Sequence, residues 1–184
     1  LERLVGDLLD LGRMNKAEFS VRREPIDLGA IAQEALRRYE SHARGFGVTL
    51  EAAGDAAARA IGDADRTLQI VSNLVENALR LAPTDGSVRI VTGPGSIRVE
   101  DTGPGLRPEE LEHAFDRFYL YSRYGRERPV GTGLGLAIVK ELAHGMGGSV
   151  AAESTPGRLT VFTVRLPHDA APAPDRAQAG SASS

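Results

Sequence analysis

Two hairpin patterns constrain the fold of this chain more than any other feature of its sequence. Residues 88–92 (VRIVT) and 97–101 (IRVED) read as strands on either side of a Gly-Pro-Gly turn. Residues 149–155 (SVAAEST) and 158–166 (RLTVFTVRL) repeat this arrangement around Thr-Pro-Gly. Both segments therefore predict hairpins that belong to a sheet.

Helical and strand-like segments alternate around these hairpins. Apolar residues at spacings of three and four predict amphipathic helices over residues 28–44, 64–82 and 134–145. Residues 48–53 and 59–62 are short strand candidates, and Asp27 is suited to cap the first helix. The order of helix, strands, helix, strands, long loop, helix and hairpin predicts an α+β chain. We expect a two-layer α/β sandwich in which helices cover one face of a mixed sheet.

Composition excludes several function classes. The chain has 184 residues, no cysteine and a formal net charge of −3. Disulfides, zinc thiolate sites and thiol nucleophiles are therefore excluded, and there is no overall electrostatic attraction to nucleic acid. Its apolar runs are all shorter than the roughly 18 residues that a membrane span needs.

The two ends of the chain differ from the segment between them. Residues 1–18 carry leucines at spacings of three and four, which is typical of a coiled-coil or helix-bundle seam. Residues 19–26 are expected to be a linker, residues 27–167 a folded domain, and residues 168–184 a disordered tail rich in Ala, Pro and Ser. Because the chain opens inside an apolar repeat and without methionine, we expect a fragment of a longer protein.

The predicted helix over residues 64–82 carries an unusual polar stripe. Asn73, Asn77 and Arg80 lie four and three residues apart and therefore share one face. Asparagine is a mediocre residue within a helix because its amide competes for backbone hydrogen bonds. The stripe is either a solvated face or a row of amide oxygens and one cation lining a cavity. In a cavity, the amides would suit magnesium and the arginine would suit phosphate.

Two glycine-rich segments follow. DTGPGL (residues 101–106) is either an ordinary turn or a carboxylate at a strand end, beside bare backbone that a flat ligand can approach. GTGLGL (residues 131–136) opens the last helix, where a glycine loop either turns the chain or cradles phosphate. Between them, residues 102–133 form a long loop with a short helix expected near residues 108–114, and loops of this length are usually functional or disordered. Residues 115–130 of this loop are rich in Arg and aromatic residues.

Taken together, these motifs resemble the ATP-binding domain of sensor histidine kinases. NLVENALRLAP, DTGPGL, FDRFY and GTGLGLAIVKELAHGMGG occur in the order of that family's N box, first glycine box, F box and second glycine box. LVGDLLDLGRM resembles the end of the family's dimerization and phosphoacceptor helices. The resemblance covers about residues 1–167 and implies the family's sandwich with a mixed, mostly antiparallel sheet.

The resemblance also implies roles for individual residues. Asn77 is expected to coordinate Mg²⁺ that bridges the ATP phosphates, with Asn73 and Arg80 lining the same catalytic site. Asp101 is expected to accept a hydrogen bond from the adenine amino group, which guanine lacks. Leu81 stands where a tyrosine is common, so adenine packing would be aliphatic. The other expected ATP-binding residues are Gly103, Gly105, Leu106, Phe118, Tyr119, Arg123, Arg126, Arg128, Gly131, Thr132, Gly133, Leu134, Gly135 and Leu136.

The same resemblance favours phosphoryl transfer over hydrolysis. Water-activating gyrase-type ATPases have a glutamate at the position equivalent to Asn73, and an amide cannot take a proton from water. Glu76 is expected to face elsewhere, because one residue turns a helix by roughly 100°. None of the four histidines precedes an acidic residue on a helix, as the family's acceptor does. We therefore expect the acceptor to lie upstream and this fragment not to label itself.

Three hypotheses follow for the function. The leading one is the cytoplasmic catalytic domain of a two-component sensor kinase whose parent lies in the bacterial inner membrane. Its partners would be its own dimerization helices, a second protomer and a response regulator, with no nucleic acid and no membrane contact of its own. The second is a degenerate kinase domain that acts as a scaffold or response-regulator phosphatase. The third is a hydrolysing ATPase of the gyrase class.

Overall fold

The structure is a computed structural model that describes residue 12, residues 21–124 and residues 131–168. Its strands are β1 (Glu24–Asp27), β2 (Thr49–Gly54), β3 (Arg59–Gly62), β4 (Ser87–Gly93), β5 (Ser96–Asp101), β6 (Ser149–Thr155) and β7 (Leu159–Arg165). Its helices are α1 (Leu28–Phe46), α2 (Ala64–Leu81), α3 (Pro108–Leu111), α4 (Tyr119–Tyr124) and α5 (Gly135–Gly145). Apart from Gly12, the predicted helix over residues 1–18 lies outside the described residues, as do the tail from residue 169, Arg126 and Arg128.

The main sheet has five strands in the order β2-β4-β5-β7-β6. Strands β2 and β4 are parallel, whereas the β4–β5, β5–β7 and β7–β6 pairs are antiparallel. Both predicted hairpins are present, one as β4–β5 and the other as β6–β7. The prediction of a mixed, mostly antiparallel sheet is confirmed.

The core lies between this sheet and helices α1, α2 and α5. Alternate residues of β4 show the two faces: Val88 and Ile90 are buried, whereas Arg89 between them is exposed and pairs with Glu51 and Glu100 on the neighbouring strands. From α2, the apolar residues Ile70, Val71, Leu74, Val75, Ala78 and Leu79 are buried. This burial orients α2, because its apolar stripe faces the sheet and its polar stripe faces sideways.

Helix α2 has well-defined ends. At the N-terminus of the helix, the carboxylate of Asp63 accepts a hydrogen bond of 3.1 Å from the backbone N–H of Arg66. It accepts a second one, also of 3.1 Å, from the backbone N–H of Arg22. The helix stops at Leu81, because Pro83 disfavours helical backbone at Ala82, which is extended at φ −63° and ψ 137°.

Two elements differ from the sequence-based expectation. Residues 24–26 fall in the expected linker and Asp27 is expected only as a helix cap, yet Glu24–Asp27 form strand β1, which pairs antiparallel with β3 in a separate two-stranded sheet. Proline is tolerated there because a two-stranded sheet consists only of edges. The long loop also contains a helix, α4, which the sequence pattern does not indicate. None of the helices among the described residues combines the length and apolar composition needed to cross a membrane.

Candidate functional site

The polar stripe of α2 lines a cavity, which we call the asparagine cavity. It has a volume of about 60 Å³. Its lining residues are Asn73, Asn77, Arg80, Ala114, Asp116, Leu120, Gly131, Thr132, Gly133, Gly135 and Leu136. Asn73, Asn77 and Arg80 are each half-buried, so the stripe is the wall of a cavity and not a solvated helix face.

Glu76 faces away from this cavity, as predicted from its position on the helix. Its Oε1 accepts a hydrogen bond of 2.6 Å from the hydroxyl of Tyr39 on α1. It lines a separate groove of about 370 Å³ between α1 and α2. Helix α2 therefore presents amides and a guanidinium to the asparagine cavity, and the nearest acid on the helix itself, Glu76, is bound to Tyr39.

The glycine loop at the start of α5 forms the opposite wall of the asparagine cavity. A side chain at Gly131 would collide with the Arg80 guanidinium, and a Cβ at Gly135 would lie 3.7 Å from Oδ1 of Asn73. The Gly131 backbone therefore lies against the end of the Arg80 side chain, whereas the distance at Gly135 is an ordinary van der Waals contact. Leu134, by contrast, is fully buried in the core and anchors the first turn of α5.

A second cavity adjoins the first, and we call it the aspartate cavity. It has a volume of about 20 Å³ and shares Asn77 and Leu120 with the asparagine cavity. Its lining residues are Asn77, Leu81, Asp101, Pro104, Gly105, Leu106, Leu120, Thr160 and Phe162. The Asp101 carboxylate, Pro104, Gly105 and several apolar side chains thus surround a narrow slot beside Asn77. Such a slot suits a flat apolar ligand with a polar edge.

Asp101 is the buried acid of this slot. It ends strand β5, has 3% of its surface exposed, and its Oδ1 accepts a 2.8 Å hydrogen bond from the backbone N–H of Gly103. Burial raises the pKa of Asp101 to about 6, although the Gly103 hydrogen bond opposes the rise. A carboxylate this poorly solvated gains from a ligand that donates a hydrogen bond to it.

Three expected ATP-binding residues of the long loop do not line either cavity. The Nε of Arg123 lies 3.0 Å from Oε1 of Glu110, which is fully buried. The ring of Tyr119 packs on His113 with centroids 4.9 Å apart, and Phe118 is 42% exposed. The guanidinium of Arg123 is therefore held at the base of the loop and does not face the α2 stripe.

Several lining residues were missed by reasoning from the sequence. Asp116 belongs to the FDRFY motif, so the motif itself contains a signal for it. Thr160 and Phe162 carry no such signal, since they reach the aspartate cavity only because β7 pairs with β5, with Thr160 opposite Asp101. Their contribution depends on a strand pairing between segments about 60 residues apart.

Comparisons with known proteins agree with this geometry. The family model described as histidine kinase-, DNA gyrase B-, and HSP90-like ATPase matches residues 62–170, and the chain belongs to this family. The chain is 31% identical to the sensor-like histidine kinase SenX3 of Mycolicibacterium smegmatis over 91% of its own length. It is 32% identical to the sensor protein SrrB of Staphylococcus aureus over the same share.

A solved structure supports the same assignment. The chain matches full-length ShkA, crystallised in complex with AMPPNP, with a TM-score of 0.78 and 29% identity over 95% of this chain and 37% of that one. Within the ATPase family, the chain is thus the catalytic ATP-binding domain of a sensor histidine kinase. It spans 44% of SenX3 and 29% of SrrB.

Proposed function

We propose that this chain binds Mg²⁺ and ATP across the two cavities and transfers the γ-phosphoryl group to a histidine on a dimerization helix. The acceptor histidine then passes the phosphoryl group to an aspartate of a response regulator. The observation that carries the proposal is the meeting of Asn73, Asn77 and Arg80 with the glycine loop, next to a slot that contains the buried Asp101.

The aspartate cavity accounts for the base. The Asp101 carboxylate would accept a hydrogen bond from the exocyclic amino group of adenine, whereas guanine has an acceptor at that position. Leu81, Leu106 and Phe162 supply apolar contact. Because Leu81 is aliphatic, the base would be held by contact with alkyl groups on that side.

The asparagine cavity accounts for the phosphates and the metal. The backbone N–H groups of residues 131–133 and the Arg80 guanidinium are suited to phosphate oxygens. The amide oxygens of Asn73 and Asn77 are hard, neutral ligands of the kind that Mg²⁺ accepts, so these residues fit the metal. When bound there, Mg²⁺ would neutralise charge on the phosphates.

The reaction depends on the positioning of ATP and the acceptor histidine more than on a general base from α2. An imidazole nitrogen of the acceptor forms a bond to the γ-phosphorus, and the bond from that phosphorus to the β,γ-bridging oxygen breaks. ADP leaves with the bonding electron pair, and Arg80 and the loop N–H groups stabilise its charge. The amide of Asn73 cannot deprotonate water, and Glu76 is bound to Tyr39, so helix α2 supplies no base for hydrolysis, which favours transfer.

Both cavities are small in this structure. Together they hold only a few water molecules, since each water needs at least about 10–15 Å³ of such space. Binding of ATP therefore requires the Leu120 and Thr132 walls to move away from α2. We infer that α4 and the glycine loop are displaced when the nucleotide enters.

Partners and location follow from the same proposal. The chain would work beside its own dimerization helices in a homodimer and dock a response regulator. We place it in the cytoplasm, as part of a parent anchored in the bacterial inner membrane.

Titration calorimetry tests the nucleotide site. ATP should bind with Mg²⁺ present, GTP should not, and Asn77→Ala should weaken ATP binding at least tenfold. Gln33→Ala removes an exposed amide from α1 that lines neither cavity, and this variant should bind ATP like the unmodified chain. Equal ATP and GTP binding, or normal binding by Asn77→Ala, would contradict the assigned site.

Radiolabelling tests the transfer. The full-length protein incubated with γ-labelled ATP should acquire acid-labile, base-stable phosphate, and Asn77→Ala should abolish it. The present chain alone should stay unlabelled. Rapid release of inorganic phosphate that depends on Asn77 would instead favour the gyrase-type reaction, and ATP binding without label in the full-length protein would favour a scaffold.

A further inference from the structure

Asp116 places a carboxylate in the asparagine cavity, opposite the α2 stripe. Its Oδ2 lies 2.8 Å from Nδ1 of His113, and its Oδ1 lies 4.0 Å from Nζ of Lys140, beyond hydrogen-bond distance. The His113 ring is itself held against Tyr119. One oxygen of the carboxylate is therefore fixed, while the other retains room for a further partner.

This carboxylate creates an electrostatic conflict in a phosphate site. Among the described residues that line the asparagine cavity, Asp116 is the acidic one and Arg80 the basic one. The side chain of Asp116 is about half exposed, at 48%, so its charge is partly screened but not removed. ATP phosphates in this cavity would meet a negative charge, which opposes binding unless a cation lies between them.

The metal, in turn, lacks charged protein ligands on α2. Mg²⁺ in nucleotide sites is commonly held by one or two carboxylates together with substrate phosphates and water. Asn73 and Asn77 are neutral, and the described residues contain no cluster of three or more His, Asp or Glu side chains able to hold a metal ion. Among the described residues that line the cavity, Asp116 is then the one that offers the cation a negative charge.

We propose that Asp116 is the residue that couples Mg²⁺ to ATP binding. Its negative charge attracts Mg²⁺ and repels the phosphates of metal-free ATP. This inference rests on the proposed function of the site and deepens it. His113 acts as a positioning residue for the carboxylate. The consequence is that Asp116 favours Mg²⁺-loaded ATP over free ATP.

The test measures the coupling directly. The dissociation constant of ATP is determined by calorimetry with excess Mg²⁺ and with EDTA, and the ratio of the two values is the coupling factor. Asp116→Asn, which keeps the shape of the side chain, should reduce this factor about tenfold. Metal-free ATP should bind Asp116→Asn as tightly as the unmodified chain or more tightly, and Asp116→Glu should restore the coupling.

A second readout follows the metal itself. Mn²⁺ binding in the presence of ATP, measured by electron paramagnetic resonance, should weaken about tenfold in Asp116→Asn. Glu112→Gln removes an exposed acid four residues earlier, outside the cavity, and serves as the matched control. Thermal melting of every variant checks that the fold is retained.

The outcomes separate the two proposals. If the unmodified chain binds no ATP, the proposed function fails. If it binds ATP in a Mg²⁺-dependent manner and Asp116→Asn keeps the full coupling factor and Mn²⁺ affinity, only the role of Asp116 is overturned. Equal effects of Asp116→Asn and Glu112→Gln would likewise overturn it, because they would reflect overall charge.

Discussion

The backbone N–H of Phe118 donates a hydrogen bond of 2.9 Å to the carbonyl oxygen of Gly133. Both residues have left-handed backbone, with φ of 59° at Phe118 and 77° at Gly133. This bond ties the start of α4 to the glycine loop, the two segments that we propose are displaced from α2 by the nucleotide. The position of the glycine loop thus depends on Gly133, which has left-handed backbone and lies close to Tyr121.

Gly133→Ala is expected to destabilise the chain and weaken ATP binding. Left-handed backbone costs alanine about 1 kcal/mol, and the new Cβ would also lie 2.7 Å from Cβ of Tyr121. Gly157→Ala is the matched control, since Gly157 has φ of 72° and open space around it. Urea unfolding should show a loss of about 1 kcal/mol for Gly157→Ala and about 2–4 kcal/mol for Gly133→Ala. Equal losses would show that the Tyr121 contact is unimportant.

Asp101→Asn is expected to raise stability at neutral pH while lowering ATP affinity at least tenfold. The pKa of Asp101 rises from the ordinary 3.8 to about 6 because of burial, so its ionised form costs up to about 3 kcal/mol in the folded state. Asparagine keeps an oxygen to accept the Gly103 N–H but carries no charge. Urea unfolding and calorimetry at pH 7.5 measure the two effects.

The pH dependence of this difference has a defined sign. The folded-state pKa lies above the unfolded one, so the folded chain binds the proton more tightly and the penalty is absent below about pH 4. The penalty grows as pH rises through about 6. The advantage of Asp101→Asn should therefore shrink as the pH falls from 7 to 4, and an advantage independent of pH would contradict the burial argument.

Arg80 and Arg123 should differ in their importance for ATP. Arg80 lines the asparagine cavity, whereas Arg123 pairs with the buried Glu110, which also accepts a 2.8 Å hydrogen bond from Nη2 of Arg107. Arg80→Ala should weaken ATP binding about tenfold or more, and Arg123→Ala less than about threefold. Equal weakening in calorimetry would mean that Arg123 leaves Glu110 when ATP binds.

Asp63→Ala should cost more stability than Asp27→Ala, although both residues cap helices. The Asp63 carboxylate is buried and accepts hydrogen bonds from the backbone N–H groups of Arg66 and Arg22. Within the described residues, the Asp27 side chain accepts a hydrogen bond from one backbone N–H group, that of Ala30. We expect losses of about 2 kcal/mol and about 1 kcal/mol in urea unfolding. A smaller loss for Asp63→Ala would show that the Arg22 contact contributes nothing.

The pH dependence of Asp63 runs opposite to that of Asp101. Burial opposes ionisation of Asp63, yet the backbone N–H groups of Arg66 and Arg22 hold its pKa below the ordinary value. Its contribution is therefore present above about pH 4 and is lost as the pH falls through the lowered folded-state pKa. The destabilisation caused by Asp63→Ala should disappear in strong acid.

Much of the fold could be predicted from sequence because its signals are local. The Gly-Pro-Gly turn and the Asp27 cap each act within a few residues, and the structure has the hairpin strands and the helix start where they indicate. Strand β1 was missed because its residues include Pro25 and form a strand only by pairing with β3. Helix α4 lies in a loop whose composition favours no element.

The sequence by itself determined that Asn73, Asn77 and Arg80 share one face of a helix, because a period of 3.6 residues is a property of a single segment. Only the tertiary structure decided that this face meets the glycine loop and Asp116, and that Asp101 is buried beside Thr160. Cavity lining, burial and the raised pKa of Asp101 arise from contacts between segments far apart in the chain. Local periodicity carries no information about such contacts.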